Sequence, residues 1–412
     1  MYELKSLSFL CCLVGIFYQA AIAIDTQERA FLQGVRPMGM GGAFTAICDD
    51  ENMFFYNPAG ITAIQNNRIQ IFSLGVSIDE HVTNAYSFYN RHKEDFLNFN
   101  DLSSQQQEDF VNEIYDKMLS YHPNVLISLP NIFFIKSPID VKQNSLSFGL
   151  GIFSYAQATL KIDKTSLLPA ITYKAEANGI GVLPVAFRIS SLERIGLPGE
   201  LSLGINLKYI YSLVNSHRDL SINEIQGFDF GHNFFNAMGF MTDFGMLYSL
   251  NSRWRFGLDV IDIYSSELKY KKANISFGEK KDDEFQQDYI TQIDPSLNVG
   301  FAYQPEKIYY WFGNYWDSYN KLILVFDLRD ITNKQEPLST TPLKKVHMGV
   351  EYKLTRLLAL RTGFSSGYPT FGVGLGNSSI NFGYAFYGEE KGLLPGDNPS
   401  WTHKMIFSIR IS

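Results

Sequence analysis

Apolar and polar positions alternate along most of this chain. Between 201 and 211, Leu201, Leu203, Ile205, Leu207, Tyr209 and Tyr211 alternate with Ser202, Gly204, Asn206 and Lys208. Between 346 and 354, Val346, Met348, Val350, Tyr352 and Leu354 alternate with His347, Gly349, Glu351 and Lys353. The last segment sets Trp401, His403, Met405, Phe407, Ile409 and Ile411 against Lys404, Ser408 and Arg410. Successive side chains of a strand point to opposite sheet faces, so each segment has one apolar face and one polar or small face. The pattern predicts strands at 68–78, 123–135, 145–157, 180–190, 200–213, 235–249, 253–265, 295–305, 320–331, 343–354, 357–366, 368–376, 378–388 and 401–411.

A soluble sandwich turns such apolar faces inward, whereas a membrane barrel turns them to lipid and encloses the polar ones. Segments of about ten residues match a tilted strand that crosses a bilayer. Aromatics such as Tyr384, Phe386, Tyr387 and Trp401 gather at strand ends, as interfacial girdles do. Both features predict an all-β, antiparallel transmembrane barrel of about fourteen strands. Even parity puts both barrel ends on the periplasmic side. Short inner turns then fall at 142–144, 251–252, 355–356 and 377–378, and long outer loops at 79–121, 158–179, 214–234, 266–294 and 389–400.

Composition agrees. Charged residues make up 19% and aromatics 15%, against about a quarter charged in an ordinary soluble chain. The net charge of −7 carries no basic stripe, so nucleic acid is not an expected partner. At the N-terminus, one Lys at position 5, an apolar stretch from Ser6 to Tyr18 and Ala21-Ile22-Ala23 read as a cleaved signal peptide over 1–23. A single membrane anchor is the alternative, but the apolar run is shorter than about 20 residues. Cleavage after Ala23 leaves Cys48 as the remaining cysteine, so no internal disulfide is expected.

Two loops stand out. Residues 103–119 read as a helix, with Ser103 or Ser104 as N-cap and Phe110, Val111, Ile114, Tyr115, Met118 and Leu119 on one face. Phe110, Ile114 and Met118 are candidates for a ligand-capturing surface; packing against neighbouring loops is the equal alternative. The stretch 82–90 before it is strand-like. The run Tyr309-Tyr310-Trp311-Phe312 with Tyr315, Trp316 and Tyr319 reads as an inner aromatic girdle in preference to a stacking platform.

Between the leader and the first strand lies Gly34-Val35-Arg36-Pro37-Met38-Gly39-Met40-Gly41-Gly42-Ala43, followed by Asp49, Asp50 and Asn57-Pro58-Ala59-Gly60. This stretch does not alternate and is rich in small residues, which suits close backbone contact. Asn57 before Pro58 marks a sharp turn. Gly39-x-Gly41 lacks the later glycine and preceding strand of a dinucleotide site. Asp49, Asp50 and Glu51 lack calcium-loop spacing and read as a solvated turn or helix cap.

Here the chain resembles the FadL-type long-chain fatty acid transporters of the outer membrane. The matching residues are Gly39, Gly41, Gly42, Asp49, Asp50, Asn57, Pro58 and Ala59. Pro130 to Pro138 and Phe148-Gly149-Leu150-Gly151 resemble that family's second and third strands. His347 through Arg361, Phe371-Gly372 and Tyr384-Ala385-Phe386 are similar to relatives that include a PorV-type secretion component. The resemblance implies that residues 24–66 form a hatch inside a fourteen-stranded barrel over 67–412. It also implies sideways release of ligand beside a kink in the third strand. Here the matching stretch, Phe153 to Thr159, holds no glycine, and the chain ends Ile411-Ser412 without a terminal aromatic.

No enzyme motif is present: the seven His are scattered, and Gly-x-Ser-x-Gly and a P-loop are absent. Arg188, Lys208, Asp259, Glu351, Lys353 and Arg361 fall on lumen faces, where interior ion pairs are the simpler reading than a charged passage. The expectation is a monomeric, cofactor-free channel. It contacts outer-membrane lipid and carries long-chain fatty acids or other hydrophobic small molecules. The alternatives are a secretion shuttle with a docked protein partner, and an adhesin using the loops 79–121 and 266–294.

Overall fold

The computed structural model describes residues 34–118, 122–163, 169–190, 192, 196–221, 234–273, 289–305, 321–332, 341–390 and 394–411. The expected signal peptide, residues 24–33, Leu119 and the aromatic run at 309–319 lie outside these residues.

The strands are β1 (Arg68–Asp79), β2 (Asn124–Val141), β3 (Asn144–Asp163), β4 (Ala170–Ile189), β5 (Glu200–Ser221), β6 (Phe235–Ser249), β7 (Trp254–Ser265), β8 (Leu268–Lys272), β9 (Tyr289–Thr291), β10 (Ser296–Tyr303), β11 (Lys321–Leu328), β12 (Val346–Lys353), β13 (Leu358–Ser365), β14 (Tyr368–Gly376), β15 (Ile380–Glu390) and β16 (Pro399–Ile411). Each barrel strand pairs antiparallel with the next, β7 pairs β10, and β1 pairs β16 from Ile69↔Ile411 to Asp79↔Thr402. The ring therefore closes through fourteen strands and leaves no free edge. β8 and β9 form a hairpin that extends β6 outside the ring, within the stretch read from sequence as an outer loop.

Alternation decides which face is which. Ser202, Gly204, Asn206 and Lys208 of β5 are buried, while Ile205, Leu207 and Tyr209 are exposed. The same holds for Met348 outside against Gly349 and Glu351 inside β12. Polar residues thus face the lumen, and a continuous apolar belt faces out, with Phe240 62% and Ile152 57% exposed. A belt of that size on the outside of a closed barrel fits hydrocarbon rather than water. Among the described residues no helix is long and apolar enough to cross a membrane. At one strand end Phe386 stacks on Trp401 at 5.3 Å, an outward girdle pair. Tyr387, expected in that girdle, points inward and is 2% exposed, because it sits one residue out of phase.

The wall is uneven in height. β2 to β5 run 18 to 22 residues, whereas β10 to β14 run 8 or 9. Twenty residues at about 3.3 Å each span roughly 65 Å of strand, far more than a bilayer needs. Much of 158–179 and 214–221, expected as outer loop, is therefore strand that rises beyond the belt.

On this tall side, three helices fill the β1–β2 connection: α2 (Glu80–Arg91), α3 (Lys93–Leu97) and α4 (Ser104–Met118), numbered after a short α1 (Val35–Gly39) near the N-terminus. The strand-like reading of 82–90 is corrected here. Asp79 caps α2 by accepting the Val82 N–H at 3.1 Å. Glu80 and Arg91 sit at the ends that favour their charges. Buried His81 and Phe88, with half-buried Ala85 and His92, follow helical spacing. α4 begins in a reciprocal cap: the Ser103 N–H donates to Gln106 Oε1 at 3.0 Å, and the Gln106 N–H donates back to Ser103 Oγ.

Candidate functional site

Residues 34–64 lie inside the barrel, and the lumen wall is cut to receive them. Nine strands each turn a glycine toward this segment. They are Gly149 (β3), Gly204 (β5), Gly245 (β6), Gly257 (β7), Gly300 (β10), Gly349 (β12), Gly363 (β13), Gly372 (β14) and Gly383 (β15). A Cβ on Gly204 would stand 2.5 Å from the Ala59 nitrogen, and one on Gly363 2.5 Å from the Gly41 nitrogen. Gly39 and Gly372 face each other so closely that a Cβ on either would stand 2.9 Å from the other's Cα. The glycines of the N-terminal segment serve the same contact from inside. Gly41 and Gly42 also adopt φ of 70° and 79°, which side chains rarely take.

Polar groups of the wall satisfy the segment's backbone. Asp327 of β11 accepts the N–H groups of Phe44 and Thr45 at 2.7 and 2.8 Å. Thr370 of β14 accepts from the Gly41 N–H and donates to the Gly39 carbonyl. His347 Nδ1 donates to the Gly41 carbonyl at 2.7 Å. Asn206 of β5 donates to the Phe54 carbonyl at 3.0 Å. A backbone out of reach of water needs these partners, which explains the lumen's polar faces.

The Asn-Pro-Ala turn is a structural hub. Asn57, fully buried, accepts the Ala59 N–H and so caps the short helical turn Pro58–Ala63. Its amide donates at 3.0 Å to the carbonyls of Thr45 and of Met246 in β6. One side chain thus ties two parts of the segment to the wall.

The acidic pair has one partner. Arg36 of α1 reaches both Asp49 and Asp50, and it also grips Glu351 of β12 with Nε at 2.7 Å and Nη2 at 2.8 Å. Arg361 of β13 donates its Nε to the same carboxylate at 2.7 Å. Glu351 is 0% exposed. Asp50 also accepts the Asn52 N–H at 2.9 Å, as a cap. Burial works to raise the Asp50 carboxyl, but Arg36 and the Asn52 bonds outweigh it and hold it below the ordinary range. Arg410 of β16 pairs with Glu51. Of the other lumen charges, Lys208 pairs with Asp243 at 2.6 Å and with Asp262, and Asp259 accepts from Asn298. Interior ion pairing, the simpler reading, is what the geometry shows for Lys208, Glu351 and Arg361, whereas Asp259 meets an amide and the Lys353 side chain is 39% exposed. Among the described residues no group of His, Cys, Asp or Glu could hold a metal.

Beside the ion cluster is a cavity of ≈ 140 Å³, bordered by Arg36, Asn52, Phe55, Ser73, Asn131, Phe153 and Arg361. Its wall is irregular. The β1–β2 ladder pairs Arg68–Gln70 with Phe133–Ile135 and resumes at Gly75↔Ser128, so 71–74 and 129–132 do not pair. The β2–β3 register shifts at the same place, between Leu129 and Ile132. Pro130 has no N–H to donate, and Asn131 fills in: its carbonyl accepts from Gln70 at 3.0 Å and its Oδ1 accepts the Ser154 N–H at 3.0 Å. The irregularity is thus in β2, whereas the resemblance placed it in the third strand.

Toward the tall strands an aromatic and aliphatic cluster shares the lumen with buried polar residues such as Gln157, Asn178, Ser212 and Asn215. Phe54 and Phe55 meet Phe153 at 5.1 and 4.6 Å, and Phe54 meets Phe133 at 5.7 Å. The cluster continues through Tyr155, Tyr173, Ile180 and Phe235 along the tall strands. Phe110, Ile114 and Met118 are not in the lumen. They are buried with Phe88, Phe99 and Ile162 in a separate small core among the outer helices, so their apolar face is covered.

All eight residues of the N-terminal motif lie in the lumen. Sequence reading did not single out Arg36, Asp327 or Thr370, and it met Gly149 and Gly372 only as part of strand resemblances. Gly204 and Gly349 were visible only as small residues on polar faces.

Among solved structures the chain is similar to the Pseudomonas putida toluene transporter TodX, with TM-score 0.45 and 11% identity over 92% of this chain and 96% of that one. It is similar to a Pseudomonas aeruginosa FadL homologue, with TM-score 0.42 and 9% identity over 95% and 99%. The translocator domain of autotransporter NalP from Neisseria meningitidis gives 0.35 and 7% over 84% and 88%. These values carry no argument about ligand or mechanism. No curated protein sequence matches the chain. The family that matches in sequence bears a different name from the fatty acid transporters that the hatch motif resembles. It covers residues 54–314 of 412, and by that match the chain belongs to the family described as F plasmid transfer operon, TraF, protein.

Proposed function

We propose that this barrel is an outer-membrane channel for passive uptake of hydrophobic small molecules, long-chain fatty acids among them, with residues 34–64 as its hatch. The observation that carries the reading is the lumen itself. An aromatic cluster around Phe153 and Tyr155 borders a small cavity of mixed polar and apolar lining at the hatch, beside the stretch where β1 and β2 do not pair with each other. An amphiphile entering from the tall side would run its chain along this cluster, at roughly 0.8 kcal/mol per buried CH₂. It would meet the hatch at the ion cluster, and displacement of Arg36 would open the cavity toward the break in the wall. The outer helices, with Phe110, Ile114 and Met118 in their small core, would be the element that parts to admit it.

The test is native mass spectrometry of the refolded protein in detergent, with saturated fatty acids from octanoate to stearate. Saturable binding that tightens with chain length is expected. Equal affinity at all lengths, or no binding, would sink the assignment. A second reading follows from the family's name, which refers to a transfer operon. A barrel whose lumen is so fully occupied could serve as a docking component for other proteins. A stable protein partner on the outer loops, with no lipid bound, would favour it.

A further inference from the structure

The outer helices hold a histidine in an unusual setting. His92 lies between α2 and α3, half-buried at the edge of the small core. Its ring stacks on Phe88 at 4.6 Å and 30° and faces Phe110 at 5.6 Å and 32°. Nδ1 is 3.1 Å from Asp95 Oδ2 in α3, and Nε2 is 3.3 Å from Glu113 Oε1 in α4. A neutral imidazole has one N–H and leaves its other nitrogen as an acceptor, so one carboxylate would face a lone pair. The imidazolium has two N–H donors, and only that form satisfies both carboxylates, with two charge-assisted bonds.

We propose that His92 is a pH-dependent clasp: protonated, it joins α2, α3 and α4 into a closed cap on the outer rim of the barrel; deprotonated, it releases one of the two carboxylates. The cap reaches over the tall strands, since Leu160, Ile162 and Ile171 of β3 and β4 pack against its core. Other charges face the same point. Lys117 of α4 binds Glu113 at 2.5 Å and keeps that carboxylate partly neutralised when His92 loses its proton. Lys117's hydrogen bond, with His92 adding to it against burial, holds the Glu113 carboxyl below its ordinary range. From α2, Arg91 turns back to the Ser87 carbonyl, and the Tyr89 ring packs on Phe96. A second histidine stands at the base of the cap. His81 Nδ1 accepts the backbone His122 N–H at 3.3 Å.

The inference does not depend on what the channel carries. Its test is hydrogen exchange by mass spectrometry on the refolded full chain, at about pH 6 and about pH 8.5, corrected for intrinsic rates. In the parent protein, protection of 80–118 relative to barrel peptides should fall about two- to fivefold across that range, the effect of losing one partly exposed ion pair. His92→Gln should abolish this dependence. Asp95→Asn, which keeps the ring and removes one acceptor, should shrink it, and it replaces His92→Gln as the test if that variant does not form the cap. Protection that is flat or rises with pH in the parent would overturn the clasp. So would a slope that survives His92→Gln, or one that is undiminished in Asp95→Asn.

Discussion

Glu351→Gln tests whether the hatch is held by charge. The carboxylate is fully buried and takes three short bonds, two from Arg36 and one from Arg361. The amide keeps the shape and one acceptor oxygen, but it turns an NH₂ toward two guanidinium groups. Removing one partner of a buried pair costs about 3–5 kcal/mol. Asp49 and Asp50 still neutralise Arg36, so the low end, about 3 kcal/mol, is expected. Local opening of 34–50 should then rise about a hundredfold. Hydrogen exchange of peptides from 34–50 reads this directly, and conductance in a planar bilayer reads whether the opening leads through the wall. The barrel ladders should keep their protection, because no strand pairing is touched. A double-mutant cycle with Arg36→Met should return a coupling above about 1 kcal/mol. If exchange of 34–50 stays within about threefold of the parent, the ion cluster does not hold the hatch, and its hold must come from the glycine seats and backbone bonds alone.

The glycine seats predict that Gly204→Val pushes Ala59 off the wall at a cost of about 1–3 kcal/mol. It should make residues 52–64 open to protease, while Gly181→Ala, whose added Cβ would meet nothing within 4 Å, should leave the digest unchanged. Asn57→Ala removes a cap and two buried carbonyl partners. It should loosen the segment by about 3 kcal/mol, seen as exchange at 44–61. Asp50 has its folded pKa below the ordinary 3.8. Its contribution is therefore fully present above about pH 4 and is lost as the pH falls through the folded value. Exchange of 34–55 should rise in that acid window, and Asp50→Asn should remove the rise.

What the sequence showed and what it hid have separate physical causes. A strand with one lipid face and one lumen face must alternate, so all fourteen barrel strands were legible, β14 and β6 to the residue. Strand ends beyond the membrane belt obey no such rule, and β4 and β5 therefore rise further than alternation predicted. Residues 82–90 misled because Val82, Asn84, Tyr86 and Phe88 mimic a period of two, while the helical stripe includes His81 and His92, polar residues that a search for apolar spacing passes over. The N-terminal motif could be recognised from its glycines and its Asn-Pro-Ala turn. Its partners could not, because Arg36 meets Glu351 across 315 residues of chain and nothing local marks either one.

The wall glycines make the same point more sharply. On a lumen face a glycine looks like any small residue filling the polar phase of a strand. Its meaning appears only when the segment it seats is in place: Gly204 for Ala59, Gly245 for Asn57, Gly349 for Met40. A barrel that had only to enclose water could place serine or threonine at these positions without loss. Nine strands giving up a side chain at the level of one short segment means that wall and segment are shaped to each other. Release of residues 34–64 must then undo a fitted surface and its ion cluster together, so Gly204→Val and Glu351→Gln should act on the same opening from different ends of it. In free energy, their combined effect on exchange should equal the sum of the two throughout 34–64 if the segment opens as one body, whereas each end should report only its own substitution if the two ends open independently.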